Sequence, residues 1–207
     1  MNTTIRNSPT LQRIFIRWRV VDIIVASVLG VAAALIFFAW NQIYAPVTAP
    51  FEALLPGSQA LLYGVWLFAG VLGALIIRKP GAAIFTEVVA ASVSALLGAQ
   101  WGGFATIEAG LVQGLGAELV FLAFLYSSWR VGVAILAGAG AGLAMAVTDL
   151  ILFYPGADVP FQSIYTVSAI LSGAVIAGLG SWLIARALAK TGALGRFASG
   201  RAATARV

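Results

Sequence analysis

Two glutamates, Glu87 and Glu118, stand within apolar stretches that are long enough to lie inside a membrane. Neither stretch contains a Lys or Arg close to the carboxyl group. A carboxyl in hydrocarbon is costly unless it is protonated, hydrogen-bonded or turned toward a polar cavity. The pattern therefore favours a functional role for both residues, with structural hydrogen bonding as the alternative.

A second polar set lies near the opposite ends of the apolar stretches and combines carboxyls, amides and aromatic rings without any base. Aromatic faces attract positive charge, and carboxylates accept hydrogen bonds from amino groups, so this combination suits a flat cationic ligand. An interfacial belt of Trp and Tyr is the alternative interpretation of the rings. The predicted substrate-binding residues are Trp40, Asn41, Gln100, Trp101, Glu108, Gln113, Glu118, Asp149 and Tyr165.

Several kinds of chemistry are excluded by residue types that the chain lacks. It has no Cys and no His, which removes disulfides, thiolate chemistry, Cys/His metal sites and imidazole catalysis. No nucleophile and base are paired in the sequence, so we predict neither an enzyme nor a bound metal or cofactor. A phosphate-binding G-x-x-x-x-G-K-[ST] loop is also missing, so any energy must come from an ion gradient or a partner ATPase.

The elements that position these residues follow from the composition. Hydrophobic residues make up 61% of the 207 positions and charged residues only 9%, against about 25% charged in a typical soluble domain. Lipid is the solvent that suits such a chain, and a span needs about 20 apolar residues. We predict an all-α membrane protein with six transmembrane helices, at 21–44, 59–77, 81–99, 108–126, 131–153 and 163–189.

Basic residues predict the orientation of these helices. All twelve Lys and Arg fall in 1–20, 78–80, 127–130 and 190–207 or at Arg186, and none falls in 45–58, 100–107 or 154–162. Cytoplasmic loops carry such an excess, so both termini are predicted to be cytoplasmic and the net charge of +5 needs no nucleic acid to explain it. The predicted organisation is a tail at 1–20, one six-helix domain at 21–189 and a basic tail at 190–207. The long outer loop 45–58 is expected to form a short helix or flap over the outer mouth.

Small residues recur at helical spacing in three of the predicted spans. Ala26, Gly30 and Ala34 form one such stripe in the first span, and glycine pairs do so in the fourth and fifth. Small side chains let helix backbones approach closely within a membrane. In the first span the stripe suits packing inside the bundle or contact with another subunit equally well.

Three segments together resemble one known family. They are YGVWLFAGVLGALIIRKPGAA at 63–83, EVVAASVSALLGAQWG at 87–102 and GLVQGLGAELVF at 110–121. The chain resembles the substrate-binding S components of energy-coupling factor (ECF) vitamin transporters, in the branch assigned to thiamine and its hydroxymethylpyrimidine (HMP) precursor. The resemblance covers most of residues 18–189.

This resemblance implies a function and a set of partners. The expected protein is a six-helix subunit of the bacterial plasma membrane that binds the vitamin from outside, works with a transmembrane coupling subunit and ATPase subunits, and topples to deliver its ligand. It also implies that the stripe of Ala26, Gly30 and Ala34 contacts the coupling subunit. Two alternatives remain open: a stand-alone proton-coupled transporter of an organic cation, with Glu87 and Glu118 as a relay, and a scaffold or membrane enzyme without transport activity.

Overall fold

A computed structural model describes residues 17–192 and 194, and all regular structure within them is helical. In chain order the elements are α1 (Val20–Leu54), a 3₁₀ helix (Ser58–Trp66), α2 (Phe68–Ile77), α3 (Ala82–Leu96), α4 (Gly103–Ala123), α5 (Val131–Leu152), α6 (Val159–Ser172), a π segment (Gly173–Leu179) and α7 (Gly180–Lys190). The predicted tails at 1–20 and 190–207 lie almost entirely outside the described residues.

Four stretches of the described chain are long and apolar enough to cross a membrane: α1, α4, α5 and the continuous helix at 159–190. A fifth arises if the 3₁₀ helix and α2, which meet at an angle of 41°, are taken as one bent span. Helix α3 is apolar but has only 15 residues. The predicted all-α membrane architecture is therefore confirmed, with four or five spans by length and composition.

Helix α1 continues past its predicted end at residue 44 and takes in most of the segment predicted as a loop. It has 35 residues, about 52 Å at 1.5 Å per residue, and it contains Pro46 and Pro50. Each proline removes the partner of the carbonyl four residues earlier, at Gln42 and Pro46. These positions lie on one exposed stripe of the helix. The prediction of a separate flap at 45–58 is wrong, because the helix ends only at Leu54.

The small-residue stripe on α1 faces the inside of the bundle. Ala26, Gly30 and Ala34 are all buried, and a Cβ placed on Gly30 would lie 2.8 Å from the Cβ of Val89 on α3. The stripe thus allows α1 and α3 to approach closely, as small residues do in membrane helix pairs. It leaves no exposed surface there for a coupling subunit, so the structure supports the packing alternative.

Helix α5 and the π segment make a similar close contact. A Cβ on Gly138 would lie 2.8 Å from the Cα of Gly178, so main chain meets main chain at this crossing. Backbone atoms cannot rotate away as a flexible side chain could. Any side chain at position 138 therefore has to push the two helices apart.

A buried ion pair joins the start of α1 to the turn between α2 and α3. The carboxylate of Asp22 accepts hydrogen bonds from Lys79 at 2.6 Å and from the Arg19 guanidinium at 2.9 Å. The indole of Trp18 donates to the backbone carbonyl of Pro80 at 2.9 Å. This end of the bundle carries basic residues, and it is the end at which α3 begins.

We expect Gly138→Ala to lower the stability of the folded chain, because the added methyl group meets backbone atoms of the π segment. Overpacking of this kind costs about 1–3 kcal/mol. Thermal unfolding of the purified protein in detergent, followed by intrinsic fluorescence, should show the lower midpoint. Gly132→Ala on the same helix is the matched control, because a Cβ there meets nothing within 4 Å. Equal midpoints for the two variants would contradict the close contact at Gly138.

Candidate functional site

A cavity that is open on one side lies between the 3₁₀ helix and helices α1, α3, α4, α5 and α6, and about 760 Å³ of empty space, part of it continuous with the surroundings, lies among its lining residues. It runs along α3 from Glu87 toward the turn that carries Trp101, away from the end that holds the Asp22–Lys79 pair. The residues lining it are Phe37, Asn41, Tyr63, Trp66, Glu87, Ala91, Ser94, Ala99, Trp101, Ala105, Thr106, Ala109, Gly110, Gln113, Met145, Asp149, Phe153, Tyr154 and Tyr165.

Small residues on α3 and α4 leave room for this cavity. On α4 the lining positions Ala105, Ala109 and Gln113 follow one another at intervals of four, which places them on one face of the helix. Alanine occupies most of this face, and its short side chain leaves space beside α4. The facing walls are formed by rings from the 3₁₀ helix, from α6 and from the turns. The result is an apolar slot with a few polar groups.

Trp66 is the centre of the aromatic wall. Its ring centroid lies 5.2 Å from those of both Tyr44 and Tyr63 and 6.0 Å from that of Trp101. The indole N–H donates to the Oδ1 atom of Asn41 at 2.9 Å, which fixes the ring and the amide together. Gln100 donates in turn to the backbone carbonyl of Asn41 and so ties the turn that carries Trp101 to α1. Asn41 therefore holds both indoles in place.

Glu87 forms the floor of the cavity and is 1% exposed. Its Oε2 atom accepts the backbone N–H of Gly70 on α2 at 2.5 Å. Its Oε1 atom is buried and has no hydrogen-bond partner among the described residues. Such an orphaned oxygen is costly in a protein interior, so a polar partner from a ligand would stabilise it.

Asp149 supplies a second carboxyl to the cavity, and Tyr165 donates to its Oδ2 atom at 2.6 Å. Tyr154, in the turn after α5, lines the cavity close by. Burial raises the pKa of the Tyr154 hydroxyl above its ordinary value, so this group stays neutral and able to donate. No group of three or more metal-binding side chains occurs in residues 17–192 and 194.

The structure brings five of the nine predicted binding residues to the cavity. These are Asn41, Trp101, Gln113, Asp149 and Tyr165. Trp40 and Gln100 do not line it, although Trp40 packs against Trp66 at 6.3 Å and Gln100 holds Asn41. Glu108 lies on α4 outside the lining, and Glu118 lies at the other end of the bundle.

Glu118 binds backbone groups rather than the cavity. Its Oε1 atom accepts the N–H of Gly81 at 2.6 Å and the hydroxyl of Tyr126 at 2.7 Å, and its Oε2 atom accepts the N–H of Ala83 at 2.9 Å. These amides belong to the first turn of α3, which lacks partners inside its own helix. Glu118 therefore caps α3, and this arrangement favours the structural alternative over a proton relay with Glu87.

Most of the lining residues were not among the predicted binding residues, and Tyr63, Trp66 and Glu87 are three of these. The sequence predicts a functional role for Glu87 as an acid within the membrane, with a relay through Glu118 as one alternative, but does not assign it to the binding site. Tyr63 and Trp66 are three positions apart, which aligns them on a 3₁₀ helix. This spacing is a signal in the sequence, but the apolar composition of the segment predicts an ordinary α-helical span at 59–77.

Comparison with known proteins identifies relatives over most of the chain. Residues 21–144 match the family described as the permease component of an ABC-type cobalt transport system. The Bacillus subtilis (strain 168) protein YkoE, provisionally named an HMP/thiamine permease protein, is 36% identical over 185 residues, which are 89% of this chain and 91% of YkoE.

A solved structure agrees with this relationship. The crystal structure of an S component of an ECF transporter superposes with a TM-score of 0.85 at 34% identity, and the match covers 92% of this chain and 95% of the other. Both matches therefore extend over most of each chain and not over a fragment of it. The chain belongs to the S components, the membrane subunits that give energy-coupling factor transporters their specificity.

Proposed function

We propose that this S component binds thiamine or HMP in the ring-lined cavity, for uptake across the bacterial plasma membrane. The observation that carries the proposal is the buried Oε1 atom of Glu87, which has no partner at the floor of an aromatic slot. The YkoE relative, with its HMP/thiamine name, supports this choice of ligand. S components are specificity subunits, so the chain itself carries out no chemical reaction.

The aminopyrimidine ring common to both ligands suits Glu87. A carboxyl accepts from an exocyclic amino group and, when protonated, donates to a ring nitrogen. The flat ring would stack on the face of Trp66 or of Trp101, which meet edge to face at 6.0 Å, since aromatic rings contribute stacking as well as burial. Asn41 and Gln113 add amides that can complete the hydrogen bonding of the ligand.

Transport requires partners that this chain does not supply. It lacks a phosphate-binding loop for ATP, so an S component depends on a transmembrane coupling subunit and ATPase subunits. Because the stripe of Ala26, Gly30 and Ala34 is buried, the coupling subunit is expected to contact another surface. A proton-coupled carrier without partners is the competing function, and it would transport in cells that lack the ATPase subunits.

The topology that we propose has six spans with both termini in the cytoplasm. The count follows if the 3₁₀ helix and α2 form one bent span and if the short helix α3 forms another. The distribution of Lys and Arg supports this orientation, because the basic segments then share one side. The cavity would open on the outer side, where the vitamin is captured.

Labelling of single introduced cysteines should test this topology. No native thiol can react with the label, because the chain has no Cys. We expect Ala49→Cys to react with a membrane-impermeant maleimide in intact cells and Ser127→Cys to react only after permeabilisation. Both positions are exposed in the structure. Labelling of Ser127→Cys from outside would contradict the orientation and would place the cavity mouth in the cytoplasm.

Replacement of one carboxyl oxygen of Glu87 by an amide NH2 group, which also removes the charge, should test the site. We expect Glu87→Gln to raise the dissociation constants of thiamine and HMP by about tenfold or more, since hydrogen bonds to charged groups contribute about 1.5–3 kcal/mol. Isothermal titration of the purified full-length chain provides the measurement, and quenching of tryptophan fluorescence provides an independent signal.

Glu52→Gln is the matched control for this substitution. Glu52 is exposed near the end of α1 and does not line the cavity, so both affinities should stay at the value of the unmodified protein. If neither vitamin binds the unmodified chain, the proposed function is wrong. If both bind and Glu87→Gln has no effect, only the assignment of Glu87 is wrong.

A further inference from the structure

Asp149 and Tyr165 form a hydrogen-bonded pair between two helices at the cavity wall. Asp149 lies near the end of α5 and Tyr165 in the second turn of α6, and the hydroxyl donates to Oδ2 at 2.6 Å. The remaining carboxylate oxygen, Oδ1, accepts no hydrogen bond from the described residues. Because Asp149 lines the cavity, that oxygen is free for a ligand.

The tyrosine side of this pair is fixed independently of the aspartate. Tyr165 is 1% exposed, and its ring packs against Phe161 at 5.7 Å, Tyr154 at 5.3 Å and Tyr63 at 6.2 Å. A ring confined by three others has little freedom to turn. Its hydroxyl therefore selects the orientation of the Asp149 carboxyl, and the reverse does not hold.

The aspartate has no cationic partner within the described chain. Both ion pairs there use Asp22, at the other end of the bundle, and no Lys or Arg reaches Asp149. The side chain bonded to it is the Tyr165 hydroxyl, and the cavity that it lines carries rings, hydroxyls, amides and the carboxyl of Glu87. A carboxylate at this depth without a counter-ion is costly, and such residues usually serve a substrate or ion.

We propose that Tyr165 is a positioning residue that holds Asp149 as the counter-ion for a positively charged ligand ring. This inference rests on the proposed function and makes it more specific. Thiamine contains an aminopyrimidine and a cationic thiazolium, whereas HMP has the pyrimidine alone. The Asp149–Tyr165 pair should therefore favour thiamine and contribute little to binding of HMP.

The division of the cavity follows from this assignment. Glu87 recognises the pyrimidine that the two ligands share, and Asp149 recognises the charge that only one of them has. The thiazolium nitrogen is quaternary and carries no N–H, so its charge does not titrate and it pairs with a carboxylate mainly by electrostatic attraction. This attraction is strong in a site that excludes water, and it weakens quickly if the carboxylate turns away.

The test compares thiamine with HMP on the purified full-length chain. In Tyr165→Phe the ring and its packing remain, but the hydrogen bond to Asp149 is lost. We expect the dissociation constant of thiamine to rise by about five- to tenfold and that of HMP to stay within about twofold. Asp149→Asn should weaken thiamine at least as much. In the double variant Tyr165→Phe should have no further effect, because the two residues act as a unit.

Tyr126→Phe is the matched control. Tyr126 also donates its hydroxyl to a buried carboxyl, that of Glu118 at 2.7 Å, but this pair lies at the opposite end of the bundle. The same chemical deletion there leaves the bonds from Gly81 and Ala83 to Glu118 in place, so α3 stays capped and both dissociation constants should be unchanged. Any loss of affinity from general destabilisation would be visible in this variant as well.

The outcomes separate the inference from the proposed function. A purely structural role for Tyr165 would weaken both ligands together, and this result would overturn the inference alone. Independent effects of the two substitutions in the double variant would also overturn it. If the unmodified chain binds neither vitamin, the inference and the proposed function both fail. Selective loss of thiamine, with HMP unchanged, is the result that supports the pair as the element that recognises charge.

Discussion

Every buried carboxyl in this chain has to find its partners inside the protein, because hydrocarbon offers no hydrogen bonds. The described structure meets this constraint in two ways. Both oxygens of Asp22 and of Glu118 are hydrogen-bonded, and these residues fasten helices together. Glu87 and Asp149 each keep one oxygen without a partner among the described residues, and both line the cavity. Whether both oxygens of a carboxyl accept hydrogen bonds therefore distinguishes the structural carboxyls from those available to a ligand.

The carboxyls with two hydrogen-bonded oxygens also help to position a carboxyl that keeps one oxygen free. Glu118 caps the first turn of α3, and Asp22 pairs with Lys79 in the turn just before that helix. Glu87 lies on the same helix, little more than one turn after Ala83. Its free oxygen can be held at the floor of the cavity only if α3 is held at its start. Ion pairing at the basic end of the bundle therefore contributes to the geometry of a site at the other end.

Sequence reasoning found those site residues whose position follows from depth and helical period. Asn41, Gln113 and Asp149 each lie on a regular helix near its predicted end, so the polar side chain and the cavity coincide. Glu118 has the same chemistry but a different role, because its partners are backbone amides of a turn about 35 residues earlier. Backbone donors have no signature in a sequence. Only the fold therefore shows which of two acids within the membrane already has hydrogen-bond partners for both of its oxygens.

Trp66 illustrates a second limit, which comes from helix geometry. A 3₁₀ helix turns by about 120° per residue and an α-helix by about 100°. Over the eight steps from Ser58 to Trp66 the difference accumulates to about 160°, so an interpretation of this segment as α-helix places the indole on nearly the opposite side. The hydrogen bond from Trp66 to Asn41 then joins two residues that an α-helical register would separate. The aromatic wall of the cavity depends on this local departure from the regular helix, which apolar composition alone does not reveal.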